Sequence, residues 1–577
     1  MTNKATIFGL IMSVLILFGC SGNSTSPDNG GGDDGGGNGG TPTATADAGT
    51  DSEEAVGFEI SADGSGSTGS GTISYSWSFT NQPANSTVTL SNASSETPTF
   101  TPDLPGEYIL ELEVSSDGET DADTVVYSAI AKRIFVDANS GTDEDINGYM
   151  EATPLKTVSA ALTRIGNNDS DPFLAIDTMR VAKGTYDENN GESYPLSFIG
   201  NLIVKGDQSV DRSSIHLLSP DVERDPAIKI GEGVILRHLH IENGYTGGTF
   251  NGDPDAVYIW SGSDMSSSTV ALEDIKITMN AREGVAISTG SNMTVDVRGY
   301  NGTRSYINGN NVGRAYLNRF NTSNVTLNIK DTDISNMGDV GAIEVDDVHN
   351  LTINVTNSVF KPGTGHVNAY AFDLEDDVDL TLENTTITSS TGSTSGARFK
   401  YGIVMDNDQP NTNIEILNST IEYTQWSAVL MRASVVKITD SIIEGVLTQE
   451  SNVNLAYDAI RQLDGTLIVR GTTFKDINTS AIDVGGPNLP NDNNFSVDLG
   501  TDQDPGNNVF QNVRGWDVQV SRSGEVVSEL PAFGNSWSNG ASPRCRQDVS
   551  DYDLGEIYVN DQGGSLRWGT GSSEICN

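Results

Sequence analysis

The sequence predicts an all-β protein in two parts, a small antiparallel sandwich followed by a long solenoid of stacked coils. Short alternating runs separated by Gly/Ser/Asn/Pro turns fill residues 58–127. Beyond them an apolar anchor after a polar run recurs every 22–36 residues, at Ile241, Ile277, Ile307, Ile334, Phe360, Ile387, Ile421, Ile443, Phe474 and Phe510. Only one stretch, near residues 153–165, carries a helical period. The 577 residues hold 79 acidic against 32 basic side chains, a net charge of −47. Such a surface disfavours nucleic acid and anionic lipid as partners and favours cations and solubility. With 3 cysteines, neither a disulfide scaffold nor a multi-cysteine metal centre organises the fold.

At the N-terminus, Lys4 precedes a mostly apolar run from Ile7 to Phe18, too short for a membrane span and shaped like a secretory signal over residues 1–19. Leu17-Phe18-Gly19-Cys20 resembles a bacterial lipobox. That resemblance implies cleavage before Cys20, lipidation of its thiol and, with Ser21 next, sorting to the outer membrane. Residues 20–44 are too rich in Gly, Ser and Asp to fold and read as a flexible tether. The expected product is an exported protein held on a membrane only by its anchor, facing the surface or the periplasm, and monomeric. Cys545 and Cys576 remain in a tail of residues 541–577, and in an exported chain they are expected to pair.

Residues 45–129 read as the sandwich. Ala46-Asp47-Ala48-Gly49, Gly64-Ser65-Gly66-Ser67, Tyr75-Ser76-Trp77, Pro98-Thr99-Phe100-Thr101-Pro102-Asp103 and Pro105-Gly106-Glu107-Tyr108 resemble a PKD-type immunoglobulin-like domain. The resemblance implies a spacer role. Trp77, at the centre of an alternating strand, is expected in the core.

The solenoid spans residues 133–540. It opens with Phe135-Val136-Asp137-Ala138-Asn139 and then a short amphipathic helix, for which Thr153 is the expected cap and Pro154 the first turn. Val158, Ala161, Leu162 and Ile165 would form its apolar stripe. With Met179-Arg180-Val181-Ala182-Lys183-Gly184-Thr185-Tyr186 and Glu192-Ser193-Tyr194-Pro195-Leu196, this start resembles the uncharacterised module that opens many right-handed parallel β-helix proteins of the pectate-lyase-like type, over residues 133–220. The implied fold is a parallel β-helix whose open end is capped by that helix. Several anchors follow Asn or Asp by three residues, as in Asn384-Thr385-Thr386-Ile387 and Asn418-Ser419-Thr420-Ile421, which stacking would align into a polar ladder.

A second strand in each coil aligns on a small first residue: Ala342-Ile343-Glu344, Ala371-Phe372-Asp373, Gly402-Ile403-Val404, Ala428-Val429-Leu430, Ala459-Ile460-Arg461 and Ala481-Ile482-Asp483. Alternation sends Ile343, Phe372, Ile403, Val429, Ile460 and Ile482 inward and leaves a charged outer face. Glu344 and Asp373 would then share one column and Asp346, Glu375 and Asp406 another, interrupted by Arg432 and Arg461. Hard oxygen ligands on adjacent rungs suit Ca²⁺, although a merely solvated acidic face fits the same residues. Glu344, Asp373, Arg432, Arg461 and Asp483 are the candidate catalytic residues, because neighbouring carboxylates serve as acid, base or nucleophile on a polysaccharide. Arginines beside an acidic column also resemble the pectate-lyase arrangement, whereas the paired aspartates and Gly-His-Gly of polygalacturonases are absent. Tyr258 and Trp260 on an earlier coil are candidate sugar platforms. None of the five histidines shows a nucleophile partner. Two functions stay open: a surface protein that captures polysaccharide without cleaving it, ranked first, and a calcium-dependent polysaccharide lyase or glycoside hydrolase.

Overall fold

The computed structural model describes residues 43–538, except 169, 222–225, 245–254, 261–267, 281–282, 289–291, 311–313, 320–321, 339–340, 346–347, 365–368, 375–376, 390–397, 406–410, 447–457, 485–494, 502 and 521–528, together with 545–546, 557–559, 566–568 and 575–576. Cys20 and the tether up to residue 42 lie outside the described residues.

The sandwich forms because its strands alternate. Ser74–Asn81 pairs antiparallel with Gly106–Ser116, which pairs antiparallel with the first part of Glu119–Val136. Inward residues Trp77, Phe100, Tyr108, Leu110 and Leu112 build its core. Trp77 is 4% exposed and its indole N–H donates to Ser95 O at 3.1 Å, so it is a core residue and no sugar platform.

Glu119–Val136 runs on without a break. Its last residues leave the sandwich and pair in parallel with Leu174–Val181 as the first rung of the solenoid. The sandwich and solenoid are therefore joined by a shared strand.

From there the chain winds through three strands per coil. The first face contains Leu196–Phe198, Ile228–Ile230, Val257–Trp260 and, further on, Ile343–Val345, Ile482–Val484 and Val518–Val520. The second begins with Leu174–Val181, Ile203–Gly206 and Ile235–Arg237. The third is a 12-stranded parallel sheet from Gly184–Tyr186 to Val509–Gln511. This is the predicted parallel β-helix. All the apolar anchors stand in one unbroken register row on the third face, from Ile241 opposite Ile277 to Phe474 opposite Phe510. Each is buried. The first-face anchors likewise stack from Ile343 through Phe372, Ile403, Val429 and Ile460 to Ile482.

The polar ladder has a backbone cause. Asp331, Asn357, Asn384, Asn418 and Asp440 all have φ between 46° and 51°. That left-handed corner is the one Asn and Asp tolerate best after Gly, and Gly471 takes it in the next coil with φ 56°. The hydroxyl residue that follows is buried and caps the coil before it: Ser358 Oγ accepts from Thr332 N at 3.2 Å, and Ser441 Oγ from Ser419 N at 3.1 Å.

The cap helix covers Val158–Ile165, with Thr157 rather than Thr153 as its N-cap. Leu155 bridges in parallel to Val136 and is fully buried, which holds residues 153–155 extended and delays the helix. Thr157 Oγ1 accepts from Ala160 N at 3.1 Å, and Glu192 accepts from Val158 N and Ser159 N at 2.6 and 3.0 Å. Past residue 540, Ile557–Val559 adds in register to Val518–Val520, so the first face extends into the tail.

Candidate functional site on the first face

On the first face, one column runs Lys229, Tyr258, Ala286, Leu317, Glu344, Asp373, Val404, Leu430, Arg461, Asp483 and Gln519 in continuous register, one position after the inward anchor from Glu344 to Asp483. Glu344 and Asp373 are thus rung neighbours, and so are Arg461 and Asp483. Between the two pairs the column is apolar, through Val404 and Leu430. The carboxylates form two sites rather than one stripe.

A second column, two residues before each anchor, faces the same side. It arises at the corner entering each strand, where residues such as Ala342, Ala371, Ala428 and Ala459 are fully buried. A side chain at Gly402 would collide with the backbone of Ala428, so the corner stays small and the residue before it swings outward. This column meets the first with an offset of one coil. Arg314 Nε lies 2.6 Å from Glu344 Oε2, with both side chains largely buried. Asp458 hydrogen-bonds Asp483 in the same offset.

The same corner presents Tyr370 and Tyr401, whose rings stack at 5.7 Å between centroids with 28° between planes. Trp426 stands edge-on to Tyr401 at 5.5 Å, and Lys400 Nζ lies 3.7 Å from the Trp426 centroid and 5.8 Å from both tyrosine rings. All four side chains are half-buried. Tyr370 and Asp373 lie on the same strand, Tyr370–Leu374, so the aromatic cluster and the Glu344–Asp373 pair share this stretch of the first face. Half-buried rings beside carboxylates and a cation match the needs of a sugar, which offers apolar ring faces and many hydroxyls.

Further along, Asp458 is fully buried and accepts from Ser480 N at 3.0 Å. Burial raises its carboxyl above the ordinary value, against the pull of Arg461 and the hydrogen bonds from Ser480 and Asp483. Asp483 is 2% exposed. Two buried carboxyl groups so close together, beside a guanidinium, titrate as a pair.

The other candidates are spread out. Arg432 lies opposite Asp464 across a register shift, two residues after Leu430, the rung neighbour of Arg461. Tyr258 is half-buried, and Trp260 is 52% exposed on the strand Val257–Trp260, several coils before the aromatic cluster. Asp346, Glu375 and Asp406 lie outside the described residues. Cys545 and Cys576 lie on the short strands Cys545–Arg546 and Ile575–Cys576, which belong to different sheets. Tyr370, Tyr401, Trp426, Lys400, Arg314 and Asp458 escaped sequence reasoning, because the alignment began at the small corner residue. One step further back, the pairs Tyr370-Ala371 and Tyr401-Gly402 carry a repeated signal.

Residues 48–127 match a family model of the PKD domain. Residues 139–374 match the model of a protein of unknown function, DUF1565. No curated protein matches the chain. Among solved structures, the PKD domain from KIAA 1837 protein is 32% identical over 15% of this chain and 83% of its own, with a TM-score of 0.14. The A-module of Azotobacter vinelandii mannuronan C-5 epimerase AlgE4 is 10% identical over 67% of this chain and all of its own, with a TM-score of 0.30. A Yersinia enterocolitica family 28 exopolygalacturonase is 11% identical over 82% of this chain and 84% of its own, with a TM-score of 0.18.

Proposed function

We propose that the first face binds an extracellular polysaccharide, with Tyr370, Tyr401 and Trp426 as the platform and Lys400, Glu344 and Asp373 as its polar contacts. The observation that carries this reading is the stacked and edge-on ring cluster, half-buried on the outside of the helix rather than in its core. Rungs repeat at about 4.8 Å, so a chain molecule laid along the axis meets side chains at regular intervals. Lys400 suits a sugar carboxylate or hydroxyl, and the carboxylates accept from hydroxyls. Asp346, Glu375 and Asp406, which follow the same strands in sequence, are proposed to hold Ca²⁺. Cys20 is proposed as the lipidated first residue of an outer-membrane protein, tested by loss of palmitate label and of membrane retention in Cys20→Ser.

The test is retention on immobilised acidic and neutral polysaccharides, with calcium or chelator, for the parent chain and for Tyr401→Ala and Trp426→Ala. Retention that both substitutions weaken supports the proposal, whereas no retention on any glycan sinks it.

The buried Asp458–Asp483 pair beside Arg461 favours a second reading, a polysaccharide lyase or glycoside hydrolase. A carboxyl whose proton burial holds to a higher pH suits general acid catalysis. Shortening of the glycan, abolished in Asp483→Asn, would move the assignment from capture to cleavage.

A further inference from the structure

The third face carries a cluster separate from the sugar platform. His216 lies on Ile215–Leu218, and His240 and Glu242 lie on the next rung, His240–Glu242. The register sets His216 opposite His240 and Leu218 opposite Glu242. Leu217 and Ile241 between them belong to the buried anchor row, so alternation turns all three polar side chains outward together.

We propose that His216, His240 and Glu242 bind a transition-metal dication of the Zn²⁺ class and thereby clamp two successive coils. One ligand atom from each lies within 4.8 Å of the others. His216 Nε2 is 3.0 Å and His240 Nε2 3.7 Å from Glu242 Oε2. Ligands bound tetrahedrally at about 2.0–2.1 Å stand about 3.3 Å apart, so these separations bracket the need. The two imidazoles stack at 4.2 Å with 6° between planes. Their lone pairs lie in two parallel planes, so one ring must turn about its Cβ–Cγ bond for both nitrogens to reach one ion.

The surroundings orient the ligands. Asn280 Nδ2 donates to Glu242 Oε1 at 3.1 Å, leaving Oε2 towards the histidines. Thr278 Oγ1 lies 2.9 Å from His240 Nε2, the nitrogen nearest Glu242, so an ion binding there displaces this hydrogen bond. Lys276 is the rung neighbour of His240 and, with Arg212, places positive charge near the site, although Arg212 is paired with Asp274. Two imidazoles and one carboxylate with room for water suit Zn²⁺, and Co²⁺ reports the same geometry through visible ligand-field bands. The face differs from the sugar platform, so the two proposals stand or fall separately.

The purified full chain, stripped with chelator, is titrated with Zn²⁺ by calorimetry and with Co²⁺ by absorption. One equivalent should bind, raise the melting temperature and give bands of a site with nitrogen ligands. His216→Gln and Glu242→Gln should each weaken binding at least tenfold while leaving the metal-free melting curve close to that of the parent. If one variant misfolds, the other carries the test. No binding, or binding that both variants retain at parental strength, overturns the site.

Discussion

Asp458 has no exposed surface, yet carries an ionisable group. Its carboxyl is raised by burial, so the folded chain keeps that proton to a higher pH than the unfolded chain does. The stability it contributes is fully present below the unfolded value, about 4, and is lost as pH rises through the raised folded value. Thermal melting of Asp458→Asn beside the parent should show the parent losing relative stability as pH rises above about 4, and the gap reversing sign against this slope would refute it. At the platform, Tyr401→Ala removes a stacked ring worth about 1 kcal/mol, roughly a fivefold loss of affinity, measurable by calorimetry with a retained glycan. The Glu344–Asp373 column was legible in the sequence because both follow an inward anchor by one residue. The tyrosines and Asp458 were not, because the residue before a buried small corner breaks the simple alternation of a strand. His216 and His240 gave no joint signal in the sequence for a related reason: each directly precedes an anchor, and only the coil-to-coil register stacks them.

At the scale of the element, each coil combines a buried anchor with a left-handed Asx corner. Ile387→Ala, in the middle of the anchor row, should cost about 2–5 kcal/mol through lost burial and the cavity left behind. Asn418, at φ 46°, should tolerate Gly but lose about 1–2 kcal/mol on change to Ala. Denaturant melts of the three variants check both figures, and equal effects of Gly and Ala at 418 would contradict the backbone account. The anchor row was readable from periodicity from Ile241 onward, since its spacing survives loops of variable length, but its start at Tyr186 and Leu217 was not. The start of the cap helix was not, because Thr153 and Pro154 carry start signals that the Leu155–Val136 bridge overrides.

Across the whole molecule, two separate cores share the strand Glu119–Val136. The sequence showed a sandwich ending and a solenoid beginning, but a strand that changes partners midway leaves no composition break to mark the join. Ala131 N donates to Phe173 O at 2.9 Å at this junction, so Ala131→Pro should remove that bond and sharply lower the melting temperature of the first coils. The net charge of −47 is likewise resolved into places: carboxylates engaged at Arg314–Glu344 and Asp458–Asp483, and a face where rings and Lys400 interrupt the acid. The central claim is that this face holds polysaccharide through the Tyr370–Tyr401–Trp426 cluster. Calorimetric titration of the parent and of Trp426→Ala with the glycan that retains the parent tests it most directly. The account predicts saturable binding that falls several-fold in the variant with its fold intact; equal affinity in the two proteins would contradict it.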